Sequence, residues 1–349
     1  MDKKKKARIE LIDIAKALTI FLVILGHTTG NLDTPMYRRV LYSFHMPLFF
    51  FLAGMSIRPV ALKTWKEWKT FLRKNILALI VPYLIWAFVY APFDFENVPL
   101  FLYGSWNALG RAGTLTSLWY LTAFFVSRIV IQVVILILDK FHVKKITRAC
   151  GICAIPIMAI GFVLPKLENG YPWCADVGLV AAGFVLLGIA LRNLILVIAQ
   201  QKTWILVLIF LGSTAAFICG TVLRGDALDL SLMCGAQYGN IFWFVFNSIT
   251  GSVVVLSFSM LIFRISREGR FTFSTSAISF IGQHTLGVFL LHKNMLQALI
   301  LPWIRSFITD MEFLTAFLGS CVALAAAMLL CLIIEKFVPQ LLGQFPKYS

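Results

Sequence analysis

Runs of about twenty apolar residues recur along this chain, and they constrain its fold more than any other feature. As a helix, a run of that length crosses the hydrocarbon of a bilayer at about 1.5 Å per residue. Ten such segments can be drawn, at 9–29, 38–57, 75–92, 117–138, 147–164, 176–192, 203–223, 238–263, 276–300 and 313–335. Hydrocarbon offers no hydrogen-bond partners, so each segment must satisfy its own backbone, which makes it helical. The expectation is an all-α polytopic membrane protein of about ten spans, with residues 1–349 forming a single domain in the lipid bilayer. The chain is 60% hydrophobic and 13% charged, against about a quarter charged in soluble domains. Those figures exclude a disordered chain, a collagen-like repeat and an ordinary soluble enzyme.

The formal net charge of +15 would suggest nucleic acid in a soluble protein. Here no nucleic-acid motif accompanies it, and the basic residues sit in short loops between apolar runs, so nucleic acid is not an expected partner. Alternate loops differ sharply in charge. One set holds Lys3, Lys4, Lys5, Lys6 and Arg8, then Arg58, Lys63, Lys66, Lys69, Arg73 and Lys74, then Lys140, Lys144, Lys145 and Arg148. It continues with Arg192 and Lys202, with Arg264, Arg267 and Arg270, and with Lys336 and Lys347, for 22 residues in all. The other set has 6: Arg38, Arg39, Arg111, Lys166, Arg224 and Arg305. The positive-inside rule then places both termini in the cytoplasm, with the protein in the cell (plasma or inner) membrane, and an even number of spans keeps the alternation.

The basic start and apolar run of the first span resemble a signal peptide. Asp13, Lys16 and His27 interrupt it and no small-residue cleavage site follows, so it reads as a retained helix. Trp65-Lys66-Glu67-Trp68-Lys69 reads as an interfacial helix. The longest outer loop, 93–116, is too short for a soluble domain. The seven cysteines give no framework. Cys150 and Cys153 form a CxxC with no second pair, which reads as helix packing, and Cys174 and Cys234 fall in outer loops where they could pair.

Ionisable groups inside spans are costly and mark function by default. Lys16 and His27 are eleven residues apart, three turns plus about 20°, so they share one helix face some 16 Å apart (about 1.5 Å per residue). Asp13 lies near the same face, either as an i,i+3 partner of Lys16 or as a functional group. His45 and His292 reach the same outer half as His27, while His284 lies nearer the inner side and His142 in an inner loop. Packing is the competing reading for His45 and His292. The three outer histidines come from three helices without His-x3-His or carboxylate spacing, so no metal is expected.

At this point the residues resemble a known family. Ile12-Asp13-Ile14-Ala15-Lys16-Ala17 with Val23-Ile24-Leu25-Gly26-His27 is similar to the first-helix signature of the acyltransferase-3 family of integral membrane O-acyltransferases. Ser43-Phe44-His45-Met46-Pro47-Leu48-Phe49-Phe50-Phe51-Leu52-Ala53-Gly54 resembles its second-helix motif, and Ser117-Leu118-Trp119-Tyr120-Leu121 its Trp-aromatic-Leu motif. Ile281-Gly282-Gln283-His284-Thr285-Leu286-Gly287-Val288-Phe289-Leu290-Leu291-His292 is similar to its late segment. The matches occur in order, with the core motifs in 8–122 and 276–300, and the look is nearest the fucose 4-O-acetylase-like branch. The resemblance implies about ten spans and transfer of an acyl group, usually acetyl from cytoplasmic acetyl-CoA, to a hydroxyl of a cell-surface or exported glycan. The acyl-CoA is then a donor substrate rather than a bound cofactor.

On the same basis His27 takes the place of the family's catalytic histidine, and Lys16 that of a basic residue that is often Arg. Exchange of Arg for Lys keeps the charge and loses the bidentate fork. The family's Arg-x-x-Arg before a third-span proline is reduced here to Arg73 and Lys74 before Pro82. Lys16, Asp13, Arg73 and Lys74 are thus expected to bind or support the donor. His45, Trp119, Tyr120 and His292 are expected to line the site, the first three as oxyanion donors. Imidazole can serve as general base or be acylated and relay the group, and both routes stay open. Two other classes compete. One is a transporter, which would favour repeated halves and broken helices; the other is a non-catalytic export component of polysaccharide assembly.

Overall fold

The computed structural model describes residues 10–28, 35–91, 95–224, 232–267, 272–307 and 312–345. Lys3, Lys4, Lys5, Lys6, Arg8, Arg270 and Lys347 of the charge pattern lie outside them. The described residues are helical almost throughout, with a single isolated bridge between Leu232 and Gln237 and no strand among them. In chain order the helices are α1 (Glu10–Gly26), α2 (Met36–Tyr42), α3 (His45–Met55), α4 (Trp65–Asn75), α5 (Val81–Tyr90), α6 (Val98–Tyr103), α7 (Trp106–Arg111) and α8 (Trp119–Lys140). They continue as α9 (Ile146–Val163), α10 (Ala175–Ile198), α11 (Thr203–Leu223), α12 (Ile241–Arg267), α13 (Thr272–Gln283), α14 (Thr285–Asn294), α15 (Leu301–Arg305) and α16 (Glu312–Phe337).

Among the described residues, eight stretches are long and apolar enough to cross a membrane: 65–90, 116–140, 146–163, 172–198, 203–223, 241–266, 285–305 and 312–337. The first and second expected spans are not in that set, because the helices described there are short. Helix α1 has 17 residues, 12 of them buried, and α3 has 11, 10 of them buried. They form the interior of the bundle, where neighbouring helices rather than lipid cover their polar groups. Helices α9 and α11 are the opposite case, with only 4 and 3 buried residues. The buried residues of α9, Cys150, Ala154, Met158 and Gly161, form one stripe at three- and four-residue spacing, and its other faces are left for lipid.

Helix α10 is the central packing element, lying against α3, α8 and α9. It meets α3 closely because both lack a side chain at the crossing: a Cβ on Gly54 would strike the Val185 carbonyl, and one on Gly188 the Phe51 carbonyl. Helix α1 packs on α13, α12, α3 and α16.

Two expected spans are broken. The segment 38–57 turns at Ser43–Phe44 between α2 and α3. Pro47 has no N–H to donate to the Ser43 carbonyl four residues back, and that carbonyl instead accepts from the Ser248 hydroxyl at 2.9 Å. The segment 276–300 breaks at His284, so the stretch long enough to span starts there and runs to Arg305. Two helices also widen into π segments, Ile76–Ile80 and Met295–Ile300, and each is followed two residues later by a proline, Pro82 and Pro302. The expected interfacial helix at 65–69 is the first turn of a continuous helix reaching Tyr90. A capping box between Thr64 and Glu67 starts it.

The outer loop 95–116 folds over one end of the bundle as two short helices. Tyr103 donates to the Gly170 carbonyl at 2.8 Å, Asn107 to that of Glu168 at 2.6 Å, and Trp173 to that of Leu102 at 2.7 Å. All seven cysteines are free thiols. Cys174 and Cys234 line one small cavity without forming the pair the sequence allowed.

Candidate functional site

Two cavities lie end to end along α1. One, of about 330 Å³, is lined by Lys16 on α1, by Ser56, by Asn75, and by Tyr120 and Arg128 on α8. The other, of about 300 Å³, is lined by His27, Arg38, His45, Trp119, Lys293 and Gln297 among others. Met46 and Phe289 line both, so the two spaces abut across a pair of apolar side chains.

The Lys16–His27 stripe thus has one end in each cavity. Lys16 Nζ donates to the Ser56 hydroxyl at 3.3 Å. Beside it Arg128 Nε donates to Asn75 Oδ1 at 3.2 Å, and its guanidinium lies 5.5 Å from the Phe71 ring centre. Asn75 immediately precedes the π segment of its helix, and π segments are frequent at functional positions. Arg73 and Lys74, just upstream, are exposed and line neither cavity. Asp13 is buried at the crossing of α1 with α13, where Gly282 leaves room for the Asp13 carbonyl, and it too lines neither cavity.

At the other end the structure brings the three outer histidines into one cluster. The His27 and His292 rings are 5.3 Å apart, Tyr42 lies 6.1 Å from His27, and His45 lies 4.9 Å from Tyr42. The Tyr42 hydroxyl and His27 Nδ1 are 3.3 Å apart, and Gln297 donates to the His27 carbonyl at 3.1 Å. His45 and His292 have their tautomers set by the backbone. His45 Nδ1 faces the Leu41 carbonyl, and His292 Nδ1 those of Phe289 at 2.9 Å and Val288 at 3.2 Å. A carbonyl only accepts, so Nδ1 carries the proton and Nε2 is left as a lone pair. His292 Nε2 has no hydrogen-bond partner among the described residues and is fully buried. Among those residues no group of three or more His, Cys, Asp or Glu side chains is arranged to hold a metal ion.

Trp119 lines the His27 cavity, whereas Tyr120 lines the Lys16 cavity, stacked on Phe124 at 5.8 Å. His284 sits apart from both. It donates to the Phe280 carbonyl at 2.8 Å and meets Glu335 at 3.1 Å, a contact that ties α13 to α16.

Several lining residues were not singled out from the sequence. Lys293 is the clearest: it lies near the middle of the 285–305 span, a position that by itself signals function. A lysine at mid-membrane costs about 2.5–3.5 kcal/mol, and one hydrogen bond to a charged donor returns about 1.5–3 kcal/mol. The Thr116 hydroxyl, 3.1 Å from Lys293 Nζ, supplies one such bond. Arg38 and Tyr42 could not be found this way, because the turn at Ser43 is what folds them back beside His27.

The acyltransferase-3 family model, an acyltransferase domain, matches residues 9–336, nearly the whole chain. A comparison of this chain with curated proteins found no match.

Proposed function

The chain belongs to the acyltransferase-3 family and is a multi-pass membrane acyltransferase; from that premise we propose that it transfers acetyl from cytoplasmic acetyl-CoA to a hydroxyl of a cell-surface or exported glycan, in the manner of the fucose 4-O-acetylase-like branch. The observation that carries this reading is the pair of abutting cavities, with Lys16 and Arg128 in one and His27 in the other. Donor and acceptor meet from opposite sides of the membrane in such a reaction. The Lys16 cavity takes the donor, with Lys16 and Arg128 facing its phosphates and the exposed Arg73 and Lys74 adding long-range attraction. The pantetheine arm then passes Met46 and Phe289, along a wall that includes Tyr120, and presents the thioester to His27.

At His27 the hydroxyl oxygen bonds to the thioester carbon, its proton passes to imidazole nitrogen, and the C–S bond breaks to release CoA thiolate. In the relay variant His27 itself first takes the acetyl group and hands it on. Asp13 supports the first helix at its crossing with α13. His45 and Trp119 sit where they can donate to the oxyanion only if a proton-bearing nitrogen faces it; for His45, whose Nε2 is bare, that requires protonation.

The test is thiol release and glycan labelling from radiolabelled acetyl-CoA by purified protein in vesicles. A positioned general base is worth about 10²–10⁴ in rate, so His27→Ala is expected to lower transfer by that factor with donor affinity little changed. A folded His27→Ala protein with near-normal transfer would overturn the assignment, and movement of intact substrate without thiol release would point to transport.

A further inference from the structure

The cavity that Cys174 and Cys234 line, of about 160 Å³, has no role in the acyl-transfer step described above. It abuts the His27 cavity, because Trp106 and Cys234 line both. The Lys16 cavity meets the His27 cavity through Met46 and Phe289, so the three spaces form a series with His27 in the middle. The third is walled by residues of the connections 95–116, 165–174 and 232–240 and by Asp176 on α10. Those connections belong to the set poor in basic residues, which the charge pattern places outside. An acceptor arriving from outside therefore meets this space next to the one that holds His27. Three of the four non-glycine residues with left-handed backbone among the described residues lie in or beside its wall: Trp173 (φ 56°), Cys174 (φ 51°) and Ala236 (φ 53°). Such residues are costly and gather at ligand sites.

The lining suits a ring rich in hydroxyls. Trp106 offers an aromatic surface on which the C–H face of a sugar can pack. Asp176 is buried in the first turn of α10, where the backbone N–H groups of Asp176 and Val177 hold its carboxylate. That uses at most two of about four lone-pair sites, and a sugar hydroxyl makes a charge-assisted bond to the rest. The Asn107 amide is fixed by its bond to the Glu168 carbonyl, and its oxygen accepts, while Gln237 adds an exposed amide. Lys166 in the lining is exposed, so the buried charge here is a carboxylate, and it disfavours an anionic occupant. Size narrows the choice further. A cavity of about 150 Å³ holds one benzene ring, and drug-sized ligands take about 300–1,000 Å³.

We propose that this third cavity binds one uncharged pyranose unit next to the unit that is acylated, so that the acceptor is a glycan of at least two sugars and not a free monosaccharide. This rests on the acyltransferase reading, which puts the reacting hydroxyl beside His27. Trp106, shared by the two cavities, then stands at the glycosidic link between the two units.

The test uses the full chain in a neutral detergent, with calorimetric affinities for paired uncharged probes. These are the methyl glycosides of glucose, galactose, mannose, fucose and N-acetylglucosamine, and of their homodisaccharides. At least one disaccharide is expected to bind about tenfold more tightly than its monosaccharide. It should also slow amide exchange at 166–171, a segment that borders neither of the other cavities. Asp176→Asn should cut the disaccharide-to-monosaccharide ratio about tenfold, and Gln237→Ala about threefold. General damage weakens both probes of a pair and leaves their ratio unchanged, and the exposed Gln237 decides the matter if Asp176→Asn does not fold. The proposal is overturned if no disaccharide outbinds its monosaccharide, if the ratio survives substitution, or if exchange at 166–171 does not move. Failure of the acyltransferase reading looks different: no thiol is released from acetyl-CoA with any probe present, while the disaccharide preference and its loss in the variants stand.

Discussion

Lys16, Arg128 and Lys293 are the basic side chains that stand within apolar runs, out of 31 Lys and Arg residues. All three line one of the two cavities. The sequence made them equally visible, since a lone charge in a run of twenty apolar residues needs a reason. Lys16 was found through its shared face with His27; Arg128 and Lys293 lacked such a partner on their own helices. Tyr42 was not legible at all, because its approach to His27 depends on a turn and not on a spacing. The role of Lys16 can be separated from that of His27 by donor binding alone. Lys16→Ala is expected to weaken acetyl-CoA affinity at least tenfold, and Lys16→Arg to keep most of it, measured as Kd in the absence of acceptor. Unchanged affinity in Lys16→Ala would remove it from the phosphate site.

Helix existence was legible where a run faces lipid on most sides. Helix α11 occupies 203–223, the residues drawn for it from hydropathy. The drawn spans that the structure breaks, 38–57 and 276–300, supply part of the site, among them Arg38, His45 and Lys293. Hydropathy is insensitive to a break when both halves are apolar, and the cause of the first break, a proline whose missing donor is replaced by a serine on another helix, is a tertiary fact. The π segments were hidden in the same way, inside continuous apolar runs. Close helix contact also sets the site, and it yields a contrast between two glycines. Gly188 leaves no room for a side chain against the Phe51 carbonyl on the helix that holds His45, whereas Gly212 on α11 has no neighbouring atom within 4 Å of an added Cβ. Gly188→Val is expected to force α10 and α3 apart at a cost of about 1–3 kcal/mol or more, with loss of folded protein and of transfer. Gly212→Ala should be neutral or up to about 1 kcal/mol stabilising through helix propensity. Thermal unfolding of the two variants in one detergent checks both.

At the scale of the whole molecule, the loop charges and the cavities give a common polarity. The basic loops fall 22 to 6 between alternate connections, and the Lys16 end of α1 is the end nearer its basic N-terminal segment. Reporter fusions after Lys202 and after Arg111 are therefore expected to report opposite sides of the membrane, with Lys202 inside; the same side for both would break the ten-span alternation. The fold class was readable from length and composition because the bilayer permits so few structures. The cavities were not, since they are spaces between helices that lie far apart in sequence. What Met46 and Phe289 do between those spaces extends beyond acyl transfer. A membrane that stores energy as an ion gradient tolerates no continuous wet path across it. Two cavities opening toward opposite faces would make such a path if they joined. A constriction of thioether and phenyl groups sheds water and presents no dipole to a passing ion, so it can act as an electrical insulator while a slender organic chain pushes its atoms aside.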